Sequence, residues 1–320
     1  MSTTRAARMT TILDAVPLAA VDSSQTIRMR PEPRFDSIGG MGWNFTDDVE
    51  QYLGAAGEFL RSRPAEHNVA LTVSATVAAG SVPGHPNPPL FGWLSREGQV
   101  GGAIVHTRPS ALGLFGLTAD DAAELVAALK DAGREVDGVV GPIGVVQAFA
   151  EATQRGSEVV EQQLLYRLRE LVAPRPTAGQ ARLAQESDRA VLEDFTKVFA
   201  DEDTSAPFDE VGERLSYNGI WLWEVDGQPV SVASLSRSVA GIVRVGLVAT
   251  PPEHRGHGYA AAVTHHVSQV AVDTGNREIL LFTDKSNPTS NGIYQRLGYE
   301  VVEEQIQMRL GATYQDIVGR

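Results

Sequence analysis

The chain has 320 residues, 42% hydrophobic and 21% charged, ordinary globular proportions that exclude a disordered or low-complexity chain. Acidic residues outnumber basic ones 40 to 27, and the net charge of −13 argues against nucleic acid or an anionic membrane surface as partner. The absence of cysteine excludes thiol nucleophiles, thiolate metal sites, disulfides and a covalent acyl-cysteine intermediate. No apolar run approaches the ~18 residues a membrane helix needs. The stretch Thr11 to Val21 is broken by Asp14 and Pro17 and reads as part of an N-terminal arm, so a cytoplasmic protein is expected. The length exceeds one comfortable core and favours two domains of roughly 150 residues each.

Residues 1–34 are polar and punctuated by Pro31 and Pro33, an arm without sustained period. Between Asp47 and Arg63 the residues Val49, Leu53, Ala56, Phe59 and Leu60 recur at helical spacing until Pro64 stops them. A second helical or mixed segment runs near Val69 to Ala79, and Gly80 to Pro88 reads as a loop. Leu90–Ser95, a turn at Arg96-Glu97-Gly98-Gln99 and Val100–His106 predict a hairpin, followed by a strand at Leu112–Leu117. Asp120 to Ala132 is an amphipathic helix with acidic residues in its first turn and Gly133 at its end. Val136–Val140 is a short strand, and Gly141-Pro142 opens a helix through Ala152.

The second half repeats this order. Asp188–Phe199 reads as a helix with Ser187 as its N-cap, and Phe208–Leu215 as a shorter one. Trp221–Val225, a turn at Asp226-Gly227-Gln228 and Val230–Leu235 form a hairpin, with a third strand at Gly241–Thr250. Helix Tyr259–Thr274, strand Ile279–Thr283, helix Ser290–Leu297 and strand Glu300–Leu310 complete the chain.

Two local matches support a repeat. Glu97-Gly98-Gln99-Val100 answers Asp226-Gly227-Gln228-Pro229-Val230, and Val159-Val160-Glu161 leading to Arg167-Leu168 answers Val301-Val302-Glu303 leading to Arg309-Leu310 without a gap. The second match decides Glu158–Leu171: its residues suit a helix, but its counterpart is a final strand, so its first ten residues are expected to be a strand. The expected organisation is an arm (1–34), a first domain (35–172), a linker (173–180) around Ala173-Pro174-Arg175-Pro176, and a second domain (181–320).

The chemistry concentrates in Val248-Ala249-Thr250-Pro251-Pro252-Glu253-His254-Arg255-Gly256-His257-Gly258-Tyr259-Ala260, which passes from a strand through a glycine-rich loop into a long helix. Glycines let backbone N–H groups approach an anion, the helix start adds its positive dipole end, and Arg255 adds a formal charge. The segment reads as a phosphate or pyrophosphate cradle; a glycine-rich loop can also simply turn. Gly256-x-Gly258-x-x-Ala261 formally satisfies a dinucleotide fingerprint, with Asp284 ending the next strand. That reading loses, because the preceding strand closes an antiparallel meander and too little chain follows to complete a doubly wound sheet.

Arg255-x-x-Gly258-x-Ala260 resembles the acetyl-CoA motif of the GNAT (GCN-related N-acetyltransferase) superfamily, Arg/Gln-x-x-Gly-x-Gly/Ala. Asn287-x-x-Ser290-x-x-Ile293-Tyr294-x-x-Leu297-Gly298-Tyr299 resembles its second signature, Asn-x-x-Ala-x-x-Leu-Tyr-x-x-x-Gly-Phe. The resemblance covers about residues 181 to 310; the first half is similar in element order alone, as in tandem members in which one copy has decayed. It implies an α/β (α+β) fold of two GNAT-like domains, each a mixed, mostly antiparallel sheet flanked by helices.

The resemblance also implies roles. Val248, Ala249 and Thr250 would end a strand that splays from its neighbour and hydrogen-bonds the pantetheine arm, its N–H groups stabilising the oxyanion. Gly256, His257, Gly258, Tyr259, Ala260 and Ala261 would hold the pyrophosphate beside Arg255, Asn287 would contact the pantetheine arm, and Tyr294 would protonate the leaving thiolate. Tyr294 has a plainer reading as a helix tyrosine packing its ring on the sheet. Acetyl-CoA is then the expected cosubstrate, and an amine on a small molecule or peptide the expected acceptor.

Other residues are weaker candidates. The seven histidines show no metal spacing, and His265-His266 diverge on a helix and read as surface residues, so no metal is expected. Trp221 and Trp223 share a sheet face and read as core. Asp201-Glu202-Asp203 reads as a solvated turn or as an acidic rim attracting a cationic amine, and Glu224 as a solvated carboxylate or a base acting through water. The first half has Leu117-Thr118-Ala119-Asp120-Asp121 where the cradle would be, without arginine or glycine pair and without a counterpart of Tyr294, and should not bind CoA. The expected function is an acyl-CoA-dependent N-acyltransferase working by direct amine attack in a ternary complex. The rival from another class is a non-catalytic acyl-CoA or ligand-binding protein of the same fold, which thiol release with a panel of amines discriminates.

Overall fold

The computed structural model describes residues 42–79, 88–202 and 210–311. The N-terminal arm and residues 80–87 of the loop predicted from Gly80 to Pro88 lie outside the described residues, as do Asp203 and Phe208. The first half runs β1 (Gly42–Thr46), α1 (Val49–Ser62), α2 (Asn68–Ala78), β2 (Leu90–Arg96), β3 (Gln99–His106), β4 (Leu112–Phe115), α3 (Ala119–Asp131), β5 (Gly138–Pro142), α4 (Ile143–Thr153) and β6 (Ser157–Leu168). The second runs β7 (Gln180–Leu183), α5 (Arg189–Glu202), α6 (Glu210–Ser216), β8 (Ile220–Val225), β9 (Gln228–Leu235), β10 (Ile242–Ala249), α7 (Tyr259–Asp273), β11 (Glu278–Asp284), α8 (Pro288–Arg296) and β12 (Tyr299–Leu310). Element for element the order is the same.

Local chemistry sets these elements. Asp48 starts α1 by accepting from the N–H groups of Glu50 and Gln51. The two matched turns are both left-handed at their centres, Glu97 and Gly98 at φ 50° and 80°, Asp226 and Gly227 at 51° and 79°. Such turns match the twist of a two-residue hairpin. Segment 158–168 is a strand, as its counterpart predicts. Ser187 is not a helix cap. It lies within a 3-10 turn (Glu186–Asp188) in which Gln185 and Asp188 cap each other, Asp188 accepting from the Gln185 N–H at 2.8 Å.

All twelve strands form one sheet in the order β1-β2-β3-β4-β5-β12-β6-β11-β10-β9-β8-β7. Pairs are antiparallel except β4 with β5 and β10 with β11. Exchanging each strand for its counterpart in the other half reverses this order onto itself, so the sheet has a pseudo-two-fold axis between β6 and β12. The halves have traded last strands: β6 pairs with β11 of the second half, and β12 with β5 of the first. The sheet therefore runs unbroken across the 173–180 segment at which the sequence suggests a boundary.

Helices cover both faces. On one face, α3 and α4 pack with Ile306 and Met308, and α7 and α8 with Tyr166, Leu281 and Tyr299. On the other, α1 and α2 pack over β2 and β3 and reach Leu165, Ile242 and Leu280 of the centre, while α5 and α6 cover β8 and β9. Asn68 and Thr72 of α2 accept from Arg244 of β10 at 3.2 and 3.0 Å, tying the first half to the second. Trp221 and Trp223 are half-buried and pack against the core beneath α7, while Ile220 and Leu222 beside them are buried. An indole N–H needs an acceptor, and that of Trp223 finds it in the connecting segment, at the Ala178 carbonyl 2.9 Å away.

Candidate active site

The site begins where two strands part. Parallel β10 and β11 are in register only from Ile242–Arg244 to Glu278–Leu280, yet β10 continues to Ala249 and β11 to Asp284. β10 stays with β9 across an irregularity between Gly246 and Ala249, where Leu247 takes φ 45°. Ser231 fixes the end of β10, its Oγ donating to the Ala249 carbonyl at 3.0 Å and lying 2.8 Å from Thr250 Oγ1. Val248, Ala249 and Thr250 thus line a wedge in which the backbone facing β11 has no strand partner among the described residues. An extended acyl arm has the groups to pair there.

At the end of β10 lies the glycine loop. The Arg255 Nε donates to the Thr250 carbonyl at 3.0 Å, which folds the guanidinium back over the strand end. Gly256 and Gly258 take φ 80° and 88°, and Gly258 is the N-cap of α7. A Cβ at Gly256 would meet nothing within 4 Å, and one at Gly258 only Thr177 at 4.0 Å. Left-handed backbone, not crowding, calls for glycine here, and the space above the loop is open. No side chain caps α7, so the N–H groups of its first turn, beginning at Tyr259, Ala260 and Ala261, are available to an anion. His257 stacks on Tyr259 at 5.3 Å, and its carbonyl accepts from Thr177 Oγ1 at 2.7 Å. Thr177 and Ser231 are supports that no sequence signal marks.

The equivalent start of α3 is closed. Thr118 Oγ1 accepts from the Asp121 N–H, and the Asp121 carboxylate accepts from the Thr118 N–H and hydroxyl, a complete capping box. Asp121 is buried, with Arg96 2.8 Å away. One helix start is filled by its own chain, the other is bare.

On α8, Asn287 is the N-cap, its Oδ1 accepting from the Ser290 N–H, which leaves its two amide N–H donors for other work. Tyr294 is buried, 7% exposed, with its ring 6.3 Å from Tyr166 and 6.2 Å from Tyr299. Tyr166 belongs to β6, so the first half supplies a wall around the Tyr294 ring, and the Tyr166 hydroxyl accepts from Gln295 at 3.2 Å.

Glu224 is held by Arg182 at 2.8 Å, and Arg182 also grips Asp188 through two nitrogens. The Glu224 carboxylate is thus engaged in an ion pair with Arg182. Glu202 ends α5, but its side chain lies outside the described residues. His265 and His266 are half-buried, not surface residues. Burial lowers the pKa of both, and His266 lies 6.4 Å from Trp221.

Among the described residues no group of three or more His, Cys, Asp or Glu is placed to hold a metal, and no helix is long and apolar enough to cross a membrane. Residues 188–299 match the model of the acetyltransferase (GNAT) family. A Drosophila protein of solved structure is similar with a TM-score of 0.62 at 12% identity, over 85% of this chain and 99% of that one. A GNAT-family acetyltransferase from Colwellia psychrerythraea is similar at 0.53 and 11% identity, over 84% and 99%. A GCN5-related N-acetyltransferase from Sphaerobacter thermophilus is similar at 0.52 and 17%, over 78% and 94%. No curated protein sequence matches the chain. The family-model match lies within the second half, and at these identities the structural likenesses show the mixed α/β fold.

Proposed function

We propose that this chain is an acyl-CoA-dependent N-acyltransferase that moves acetyl from acetyl-CoA to a primary amine by direct attack, with one cofactor site, in its second half. The observation that carries the reading is the contrast between two equivalent helix starts: α7 is uncapped, glycine-led and flanked by Arg255 beside an open wedge, while α3 is sealed by Thr118 and Asp121. The bare N–H groups, the two left-handed glycines and the unpaired β10 edge fit a pyrophosphate and an extended amide-bearing arm.

Acetyl-CoA would supply an activated thioester. The backbone N–H groups near Val248 and Ala249 would stabilise the oxyanion formed as the amine attacks. Tyr294 would give its hydroxyl proton to the departing thiolate. The amine's proton would leave to water or to a carboxylate such as Glu202. With no cysteine to hold the acyl group, transfer proceeds in a ternary complex. The test is thiol release from acetyl-CoA with a panel of polyamines, amino acids, aminoglycosides and peptides. Acetyl-CoA binding without turnover on any amine would favour a non-catalytic binding protein, and no binding would overturn the reading.

A further inference from the structure

The segment between the two halves, 173–180, reads in the sequence as a linker, yet hydrogen bonds tie it down. Just before it, the Arg169 and Val172 N–H groups donate to the Gly298 and Leu297 carbonyls at the end of α8, both at 3.0 Å. Within it, the rings of Pro174 and Pro176 fix two backbone φ angles. Thr177 Oγ1 donates to the His257 carbonyl at 2.7 Å, and the Ala178 carbonyl accepts from the Trp223 indole N–H at 2.9 Å. Gly179 lies so close to β8 that a Cβ there would fall 2.3 Å from the Glu224 carbonyl oxygen. The segment is thus a strap from the end of α8 to the start of α7, anchored on both sides of Thr177.

What Thr177 holds is a peptide group of the glycine loop. Gly258 is left-handed, at φ 88° and ψ 5°, and Tyr259 after it begins α7 in the right-handed conformation. Such an alternation of hand turns successive N–H groups into one anion-binding concavity, here those of Gly258, Tyr259 and Ala260. The Gly258 N–H has no acceptor among the described residues. It belongs to the same planar unit as the His257 carbonyl, and in a trans peptide the two bonds point in opposite directions. Drawing the carbonyl toward the strap therefore leaves the N–H facing the concavity. Without that hold the unit would be loose. Gly256 and Gly258 flank His257, and glycine accepts the φ change of a peptide flip at little steric cost. A flipped unit would present the His257 carbonyl to the pyrophosphate and replace attraction by repulsion.

We infer that the strap is part of the cofactor site and that Thr177 is a positioning residue, whose hydroxyl holds the His257–Gly258 peptide in the orientation that receives the pyrophosphate of acetyl-CoA. The inference rests on the acyltransferase reading for the identity of the ligand, and on the strap and loop geometry for the role of Thr177. It extends the site beyond residues 188–299, the stretch that matches the family model. Thr177 serves the phosphate end of the cofactor, so its loss should act on binding and leave the chemical step unchanged.

The test, in the full chain, compares Thr177→Val, which keeps the shape and removes the hydroxyl, with Thr177→Ser, which keeps the hydroxyl. Calorimetry should show acetyl-CoA affinity about 3- to 10-fold weaker in Thr177→Val, the worth of one net hydrogen bond, and near wild type in Thr177→Ser. Inorganic pyrophosphate is the second probe. It should shift the amide resonances of Gly258, Tyr259 and Ala260 in the wild-type chain and in Thr177→Ser, with a several-fold weaker midpoint in Thr177→Val. Equal pyrophosphate responses in wild type and Thr177→Val would overturn the role of Thr177, and acetyl-CoA binding to the wild type would still leave the acyltransferase reading standing. An equal loss in Thr177→Val and Thr177→Ser would also overturn it, because packing and not the hydroxyl would then be at work. Pyrophosphate binding that depends on the hydroxyl, without acetyl-CoA binding, would keep the role of Thr177 and sink the acyltransferase reading. Binding of neither probe to the wild-type chain would overturn both.

Discussion

A fragment beginning at residue 173 should not fold, although it contains the whole stretch that matches the GNAT family model. Removing the first half removes β6, which is registered with five residues of β11 and eleven of β12. Both strands would become unpaired edges on either side of a missing strand. β6 also brings Leu165 and Tyr166, both 0% exposed, Leu165 beneath the α1–α2 face and Tyr166 against Tyr294 and Tyr299. At about 1.5–3 kcal/mol for each large side chain buried, these two alone contribute about 3–6 kcal/mol. The void left behind adds a further cost of similar size. Typical domain stability is about 5–15 kcal/mol, so the loss removes most or all of it. The assay is expression of 173–320 alone and together with 1–172, followed by near-UV circular dichroism and urea unfolding. The fragment alone should lack a cooperative transition, and the co-expressed pieces should recover one. A monomeric 173–320 fragment with a sharp transition would refute the argument, because it would mean that β12 closes onto β11 without β6.

Arg255→Glu should weaken acetyl-CoA binding at least tenfold by calorimetry, with a smaller effect at high salt, because it replaces attraction by repulsion at the loop. Titration of the wild-type chain should give one acetyl-CoA site; two equivalent sites would show that the capped α3 start opens. Tyr294→Phe should lower kcat by roughly 10- to 1000-fold with little change in acetyl-CoA affinity, and an unchanged kcat would leave Tyr294 a packing residue. His106 is buried, and burial, aided by Arg108, lowers its pKa from 6.5 to about 4. The unfolded chain therefore binds a proton in this window that the folded chain does not. Stability from this group should be intact above pH 6.5 and fall by about 3 kcal/mol as the pH drops to 4. Urea midpoints at pH 7.5 and 4.5 should differ less in His106→Gln.

Most elements were legible because their signals are local. Left-handed turns at Glu97-Gly98 and Asp226-Gly227 announce hairpins, and the glycine pair at 256 and 258 announces an open helix start. β1 and β7 were missed. Each is a four- or five-residue edge strand whose order comes from one neighbour, Gly42 to Thr46 on β2 and Gln180 to Leu183 on β8. The strand exchange was not legible for a different reason. β6 and β12 carry the same Val-Val-Glu…Arg-Leu pattern, so either strand satisfies either position, and only chain connectivity across the whole sheet decides. The ion pair that occupies Glu224 was equally hidden, since Arg182 lies 42 residues away in a segment that reads as the edge of a linker.

The exchange changes what the first half is able to lose. A helix start can be capped by its own chain or left open for a ligand, but not both. A side-chain cap is worth about 1 kcal/mol. The first half has taken the stable option at α3, through Thr118 and Asp121, and the second forgoes it at α7. The first half has no such freedom at β6, because that strand belongs to the other half's sheet, carries Tyr166 to the wall around Tyr294, and sets Gln163 against Gln305. Substitutions at the α3 start should therefore be tolerated by activity and felt mainly in stability. Substitutions on β6 should reach the second half directly, through Tyr294 and β12.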